Sequence, residues 1–191
     1  MMTMYDNAQL SPQALNPGCK SCGLCNIQKP LLMRLRSSQV VCVGLSAKIC
    51  KFSDEEPLDT RTNSGRAIAK LEELCGFSFY KTNLVKCAPL ENGKLRYPTK
   101  REIACCMPHL KGEIAEAQPK VVLMLGKQVT ANIARERGFC APQLYSIIKH
   151  NGITYLSMPH PSYLWIYKRK ELDCRLNEIA QLITQAITDA G

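Results

Sequence analysis

Lys120-Val-Val-Leu-Met-Leu-Gly126-Lys-Gln-Val-Thr-Ala-Asn-Ile-Ala-Arg-Glu-Arg137-Gly138 passes from an unbroken apolar run to a helical pattern across a single glycine. The run Lys120 to Leu125 reads as a strand, Gly126 marks the turn, Gln128 to Arg137 reads as a helix, and Gly138 closes it. The same pattern recurs on both sides. Gln39 to Gly44 is an apolar strand ending in glycine, and Ile68, Leu71, Leu74 and Cys75 follow at helical spacing before Gly76. Tyr80 to Val85 is a second strand. Thr99 and Glu102 form a capping-box pattern that opens a helix running to Ala117, which Pro119 ends. Ile153 to Met158 is the fourth strand. Leu172, Leu176, Ile179, Leu182, Ile183 and Ile187 give the last segment one apolar face, as an amphipathic helix requires.

Strands alternating with helices predict a three-layer α/β/α sandwich around a central four-stranded parallel sheet, with right-handed crossovers. In such folds function gathers at the carboxyl ends of the strands. Those ends carry Gly44-Leu45-Ser46-Ala47-Lys48, Asn83 with Lys86-Cys87, Gly126-Lys127, and Pro159-His160-Pro161-Ser162.

The 191 residues suffice for one domain with its own core, and residues 1–16 read as a loosely packed lead-in. The hydrophobic share of 46% and charged share of 21% exclude a disordered or fibrous chain. Lys and Arg exceed Asp and Glu by 25 minus 16, a net +9, which makes nucleic acid the first acidic partner to consider. Eleven cysteines in a chain of this length do not read as disulfide staples. No basic start followed by an apolar core opens the sequence, and no apolar run approaches a membrane span. The expectation is a cytoplasmic, monomeric protein with free thiols and no membrane partner.

Cys19-Lys-Ser-Cys22 is a two-residue-spaced pair, and Cys87 and Cys106 flank a segment containing Lys94, Arg96, Lys100 and Arg101. Thiolates grouped this way hold a metal. Basic side chains fixed by such a clip would contact phosphates, whereas the plainer reading is a solvated charged loop. Cys42, Cys50, Cys75, Cys140 and Cys174 read as small apolar side chains.

Tyr80-Lys-Thr-Asn83-Leu-Val-Lys-Cys87, then Asn92, Pro98-Thr99, Glu102, Cys106-Met-Pro-His-Leu110, Pro119 to Gly126 and His160-Pro-Ser-Tyr-Leu164 together resemble the iron-sulfur uracil-DNA glycosylases, family four of their superfamily. The resemblance implies that family's fold and a [4Fe-4S] cluster on Cys19, Cys22, Cys87 and Cys106; by spacing alone, structural zinc on the same thiolates is an equal alternative. It implies His160 as the donor to the departing base and Asn83 as the residue reading the Watson-Crick edge of a flipped base. Gly44, Leu45, Ser46 and Ser162 fall in the substrate pocket by the same likeness. Past the histidine, Leu164 matches the side chain that enters the duplex, supplemented by Trp165 or Tyr167, with Lys168 and Arg169 beside it for the backbone. The plainer reading of that loop is a helix start whose aromatics pack inward.

The first motif departs from the family. Where a Gly-Glu-x-Pro-Gly sequence is typical, this chain has Gly44-Leu45-Ser46-Ala47-Lys48, so the acid is replaced by Leu45. Asp54, Glu55, Glu56 and Asp59 are the nearby substitutes. The family's base-stacking aromatic also has no counterpart near Pro57-Leu58-Asp59-Thr60-Arg61, and Phe52 is the nearest ring. Three functions follow. The first is a DNA glycosylase acting on a bulky 5-substituted cytosine, such as glucosylated hydroxymethylcytosine in phage DNA, as antiviral defence. The second is a conventional uracil-DNA glycosylase in base excision repair. The third is a catalytically silent iron-sulfur DNA-binding protein.

Overall fold

The computed structural model describes residue 19 and residues 21–189, so the lead-in lies outside the described residues. In chain order the elements are β1 (Val40–Ser46), α1 (Asn63–Cys75), β2 (Tyr80–Val85), β3 (Leu90–Glu91), β4 (Lys94–Leu95), α2 (Lys100–Ala117), β5 (Val121–Leu125), α3 (Lys127–Arg137), β6 (Ile147–His150), β7 (Ile153–Met158), α4 (Pro161–Tyr167) and α5 (Leu172–Thr188). The main sheet has the order β2-β1-β5-β7-β6. The four expected strands run parallel, and β6 adds a fifth, antiparallel to β7 at the edge.

Both faces of the sheet are covered, which is why its central strands read as continuous apolar runs. Val41, Val43, Val122, Met124 and Tyr155 pack with Ile103, Leu110 and Ile114 of α2 and Ile133 of α3. On the other face Val40, Cys42, Leu123, Leu125 and Leu156 meet Ile68 and Leu71 of α1 and Leu176, Ile179 and Ile183 of α5. Leu74, expected on the inner face of α1, is instead exposed.

The caps are where the sequence patterns place them. Thr99 accepts from the Glu102 backbone, and the Glu102 carboxylate accepts from the Thr99 backbone in return. Two short hairpins go beyond the expected elements, and both turn on Asn-Gly: Asn92-Gly93 joins β3 to β4, and Asn151-Gly152 joins β6 to β7. All four of these residues have positive φ, the conformation such tight turns demand.

The segment 58–62 is pinned to the start of α1. Thr62 caps that helix by accepting from the Gly65 N–H at 3.0 Å, while its own N–H and hydroxyl donate to the Asp59 carbonyl. Gly65 lies so close that a Cβ there would fall 1.9 Å from the Asp59 carbonyl oxygen. Backbone, not a movable side chain, would be struck. Gly65→Ala is therefore expected to destabilise the fold by about 3 kcal/mol, read from urea unfolding midpoints.

Candidate active site

The carboxyl ends of β1, β2 and β7 meet at a cavity of about 580 Å³. Gly44 and Asn83 are neighbours in the β1/β2 register. A Cβ on residue 44 would sit 2.4 Å from the Asn83 side-chain oxygen, so glycine is what lets the carboxamide lie across the end of β1. Asn83 is only 4% exposed and still lines the cavity, where its amide can both donate and accept.

His160 follows β7 as the N-cap of α4, with Gly126 packed against its Cβ. Its Nδ1 lies 2.7 Å from the Ser162 hydroxyl and accepts from the Ser162 backbone N–H at 3.3 Å. A backbone N–H only donates, so Nδ1 is the bare nitrogen and Nε2 carries the proton. Burial holds the imidazole below its ordinary value of 6.5. A neutral ring with a fixed Nε2 donor results. Ser162, expected at the substrate, also lines the cavity, but its hydroxyl is engaged in orienting His160.

The nearby acids separate by where their loops turn them. Glu55 is buried against Lys48 and accepts from the Lys51 and Phe52 N–H groups at 2.7 and 3.0 Å, so it closes its own loop. Asp54 reaches Arg61 on the outside at 3.1 Å, and Glu56 is exposed. Asp59 is the acid found on the cavity wall among the described residues. The Arg61 guanidinium grips both of its oxygens, at 2.8 and 2.5 Å, and holds its carboxyl well below the usual range.

The Uracil DNA glycosylase superfamily model matches residues 51–183. The chain belongs to the uracil DNA glycosylase superfamily. It is also 30% identical over 166 residues to the Type-4 uracil-DNA glycosylase of Sulfurisphaera tokodaii, a stretch covering 81% of this chain and 66% of that protein. The chain thus spans slightly under two thirds of that relative's length.

Within this superfamily fold the cavity wall has its own composition. Leu45 and Leu58 make it aliphatic where the family's acid and aromatic are expected, and Ser46 joins them. Phe52 is no substitute ring, since it stacks under Arg61 at 5.1 Å. Rings come instead from Tyr97 and Tyr163, which are 71% and 48% exposed at the rim. Tyr97 is absent from the expected site; the signal that would find it is Asn92-Gly93, whose hairpin brings Leu95, Arg96 and Tyr97 to the wall.

The cysteines come from three segments. Cys22 and Cys25 pack against the part of the core that holds the buried Cys87 and Cys106. The Cys87 thiol is pushed up to about 12, first by burial and then by Cys106, Cys22, Cys25 and Cys19. Cys105 turns aside and donates to the Ser21 carbonyl at 3.6 Å. Among the described residues no three Cys, His, Asp or Glu side chains converge as metal ligands. By type the donor set suits a thiophilic centre, because the expected ligands are all sulfur and a thiol raised by burial, as Cys87 is, ionises readily only beside a cation.

The expected DNA contacts divide. Lys94 is exposed on β4, but Arg96 is committed to Glu102 by a two-pronged pair at 2.8 and 2.6 Å, and Lys168 is paired with Glu171 at 3.0 Å. The guanidiniums of Arg66 and Arg169 each lie over the Trp165 ring, at 5.3 and 5.6 Å. Leu164, expected to enter the duplex, is 1% exposed and belongs to the core with Leu172 and Leu176. Its turn of helix presents Tyr163, Ile166 and Tyr167 outward instead. No helix among the described residues is long and apolar enough to cross a membrane.

Two outcomes follow from these placements. Leu164→Ala removes core contacts and is expected to lower unfolding free energy by about 2–5 kcal/mol in urea titrations. For His160, the unfolded chain takes up a proton near pH 6.5 while the buried folded ring resists it. Stability present above that pH is therefore lost as pH falls through the lower folded value. Compared with a His160→Gln protein, which cannot charge, the wild type should lose ground between pH 7 and pH 5 and run parallel above pH 7.

Proposed function

We propose that this protein is a DNA glycosylase that hydrolyses the N-glycosidic bond of a pyrimidine turned out of the duplex into the cavity at the strand ends. The observation that carries the reading is the convergence of the His160 Nε2 donor and the Asn83 carboxamide on one cavity that also holds the ionised Asp59. When the bond from C1′ to the base nitrogen breaks, the electron pair leaves with the base and positive charge remains on the sugar. The Nε2–H of His160 supports the negative pyrimidine oxygen, and Asn83 reads the edge of the base. Asp59, held low by Arg61, is a poor proton acceptor and a persistent negative charge. Its role is to stabilise the sugar cation and orient the water whose oxygen bonds to C1′, and the proton that water gives up neutralises the departed base anion.

A [4Fe-4S] cluster on Cys19, Cys22, Cys87 and Cys106, or zinc on the same thiolates, would supply a structural clip for the 87–106 segment. DNA is the partner this reading requires. Exposed Lys94, Lys100 and Arg101 in the clipped segment support it, as does the net charge of +9.

For the base, a cavity larger than a bare ring, without the family's acid and aromatic at Leu45 and Leu58 and with Lys48 and Ser64 on its wall as partners for hydroxyls, supports a pyrimidine with a bulky 5-substituent, such as glucosylated hydroxymethylcytosine in phage DNA. Uracil in a repair setting is the second reading, supported by the name of the Sulfurisphaera tokodaii relative.

Uracil-containing duplex and hypermodified phage DNA, assayed side by side for alkali-labile abasic sites, decide between them. One should be cleaved, with His160→Ala lowering kcat by about 100-fold or more and Asp59→Asn by about 10- to 100-fold. DNA binding with no abasic sites on either substrate would leave the silent binding protein as the function.

A further inference from the structure

Lys86 is wholly buried, and the chemistry proposed for the cavity does not use it. Its ammonium makes three short contacts: the Glu113 carboxylate at 2.6 Å, the Asn83 backbone carbonyl at 2.6 Å and the Thr82 hydroxyl at 2.8 Å. All three of its protons are thereby committed. The Thr82 hydroxyl donates to the same Glu113 oxygen at 2.8 Å, closing the group. The main chain of Lys86 is engaged as well. Its carbonyl accepts from Leu31, a cavity residue, at 2.7 Å.

Core packing has no need of an ammonium here, since an apolar side chain of similar size fills such a place without desolvating a charge. What the ammonium does that an apolar group cannot is hold the peptide that follows Asn83. That peptide sets the Cα–Cβ direction of Asn83, and the Gly44 surface beneath leaves the carboxamide one place to lie.

We propose that Lys86 is a positioning residue, clamping the end of β2 to Glu113 of α2 so that the Asn83 carboxamide is held in register with the base. The proposal rests on Asn83 being the base-reading residue. Displacements near 1 Å at such a group cost about 100-fold in rate.

A double-substitution cycle tests it. Lys86→Met is expected to lower kcat/KM about 30- to 100-fold in the otherwise native protein, but by less than about 3-fold when Asn83 is already alanine. In parallel, hydrogen exchange over residues 80–87 should accelerate at least about tenfold while that of Val121–Leu125 is unchanged. Equal losses in both backgrounds, or unaltered exchange over 80–87, would overturn the proposal. Should Lys86→Met fail to fold, Glu113→Gln loosens the same clamp, and the same pattern is required of it. A wild-type protein that releases no base from any DNA refutes the glycosylase reading, while the exchange measurement still decides whether Lys86 holds the strand end.

Discussion

A buried ammonium and its carboxylate, Lys86 and Glu113, join the end of β2 to the later turns of α2, and the cavity end of that strand hangs from the junction. Moving two such charges out of water costs several kcal/mol per ion, and geometry this close, with every ammonium proton used, is what offsets it. The position is economical in sequence. Asn83 lies three residues before the lysine, Cys87 directly follows it, and Cys106 sits on the same helix as Glu113. Strand end, cysteine group and helix therefore share one electrostatic fastening rather than three.

The cavity itself works by pushing two titratable groups apart. His160 is held neutral because it is buried with no counter-charge, and the Ser162 N–H fixes which nitrogen is bare. Asp59 is held ionised because a guanidinium covers both of its oxygens. Near neutral pH the cavity lining thus carries a neutral imidazole and an ionised carboxylate paired with a guanidinium. Tight backbone contacts keep them there: Gly126 against His160, and Gly65 under the Asp59 carbonyl. Neither glycine touches the cavity, yet both set the position of a residue that does.

Much of this was legible in the sequence, for identifiable reasons. Central parallel strands are buried on both faces, so β1 and β5 announce themselves as apolar runs, β2 at the edge and β7 carry polar residues among the apolar ones, and the polar loops follow at their ends. Asn83 and His160 are readable because each sits where such a strand stops. The strand β6 is harder, since its residues alternate in exposure at a sheet edge and only Asn151-Gly152 betrays it. Four acids between residues 54 and 59 are equivalent in sequence, and only the folded loop assigns Glu55 to Lys48 and Asp59 to the cavity. Leu164 shows the same limit in another form. Its motif position says that a side chain near it projects, but the rotation of α4 decides which one, and that rotation follows from Leu164 completing the core against α5. Lys86 reads as one more cation in a basic chain, because burial of a charge depends on a partner 27 residues away.

The distribution of paired and exposed cations bears on how a net charge of +9 would act on a polyanion. Arg61, Arg96, Lys168 and Arg175 each hold a carboxylate within 3.5 Å, so part of their field is cancelled locally. Lys86 is sealed inside. Exposed Lys94, Lys100 and Arg101 lie along the 87–106 segment, and Arg66 and Arg169 flank Trp165 on the side of α4. Tyr97 and Tyr163 stand exposed at the rim of the cavity. Phosphate attraction falls off over roughly 10 Å at ordinary salt, so it is set by these local groups and not by the total charge. A duplex drawn to these cations would come to the segment that carries Tyr97 and to α4, which carries Tyr163, the two rings that line the cavity. In that arrangement the paired arginines serve the loops, the exposed cations serve the backbone, and each task is assigned by whether a carboxylate lies within reach.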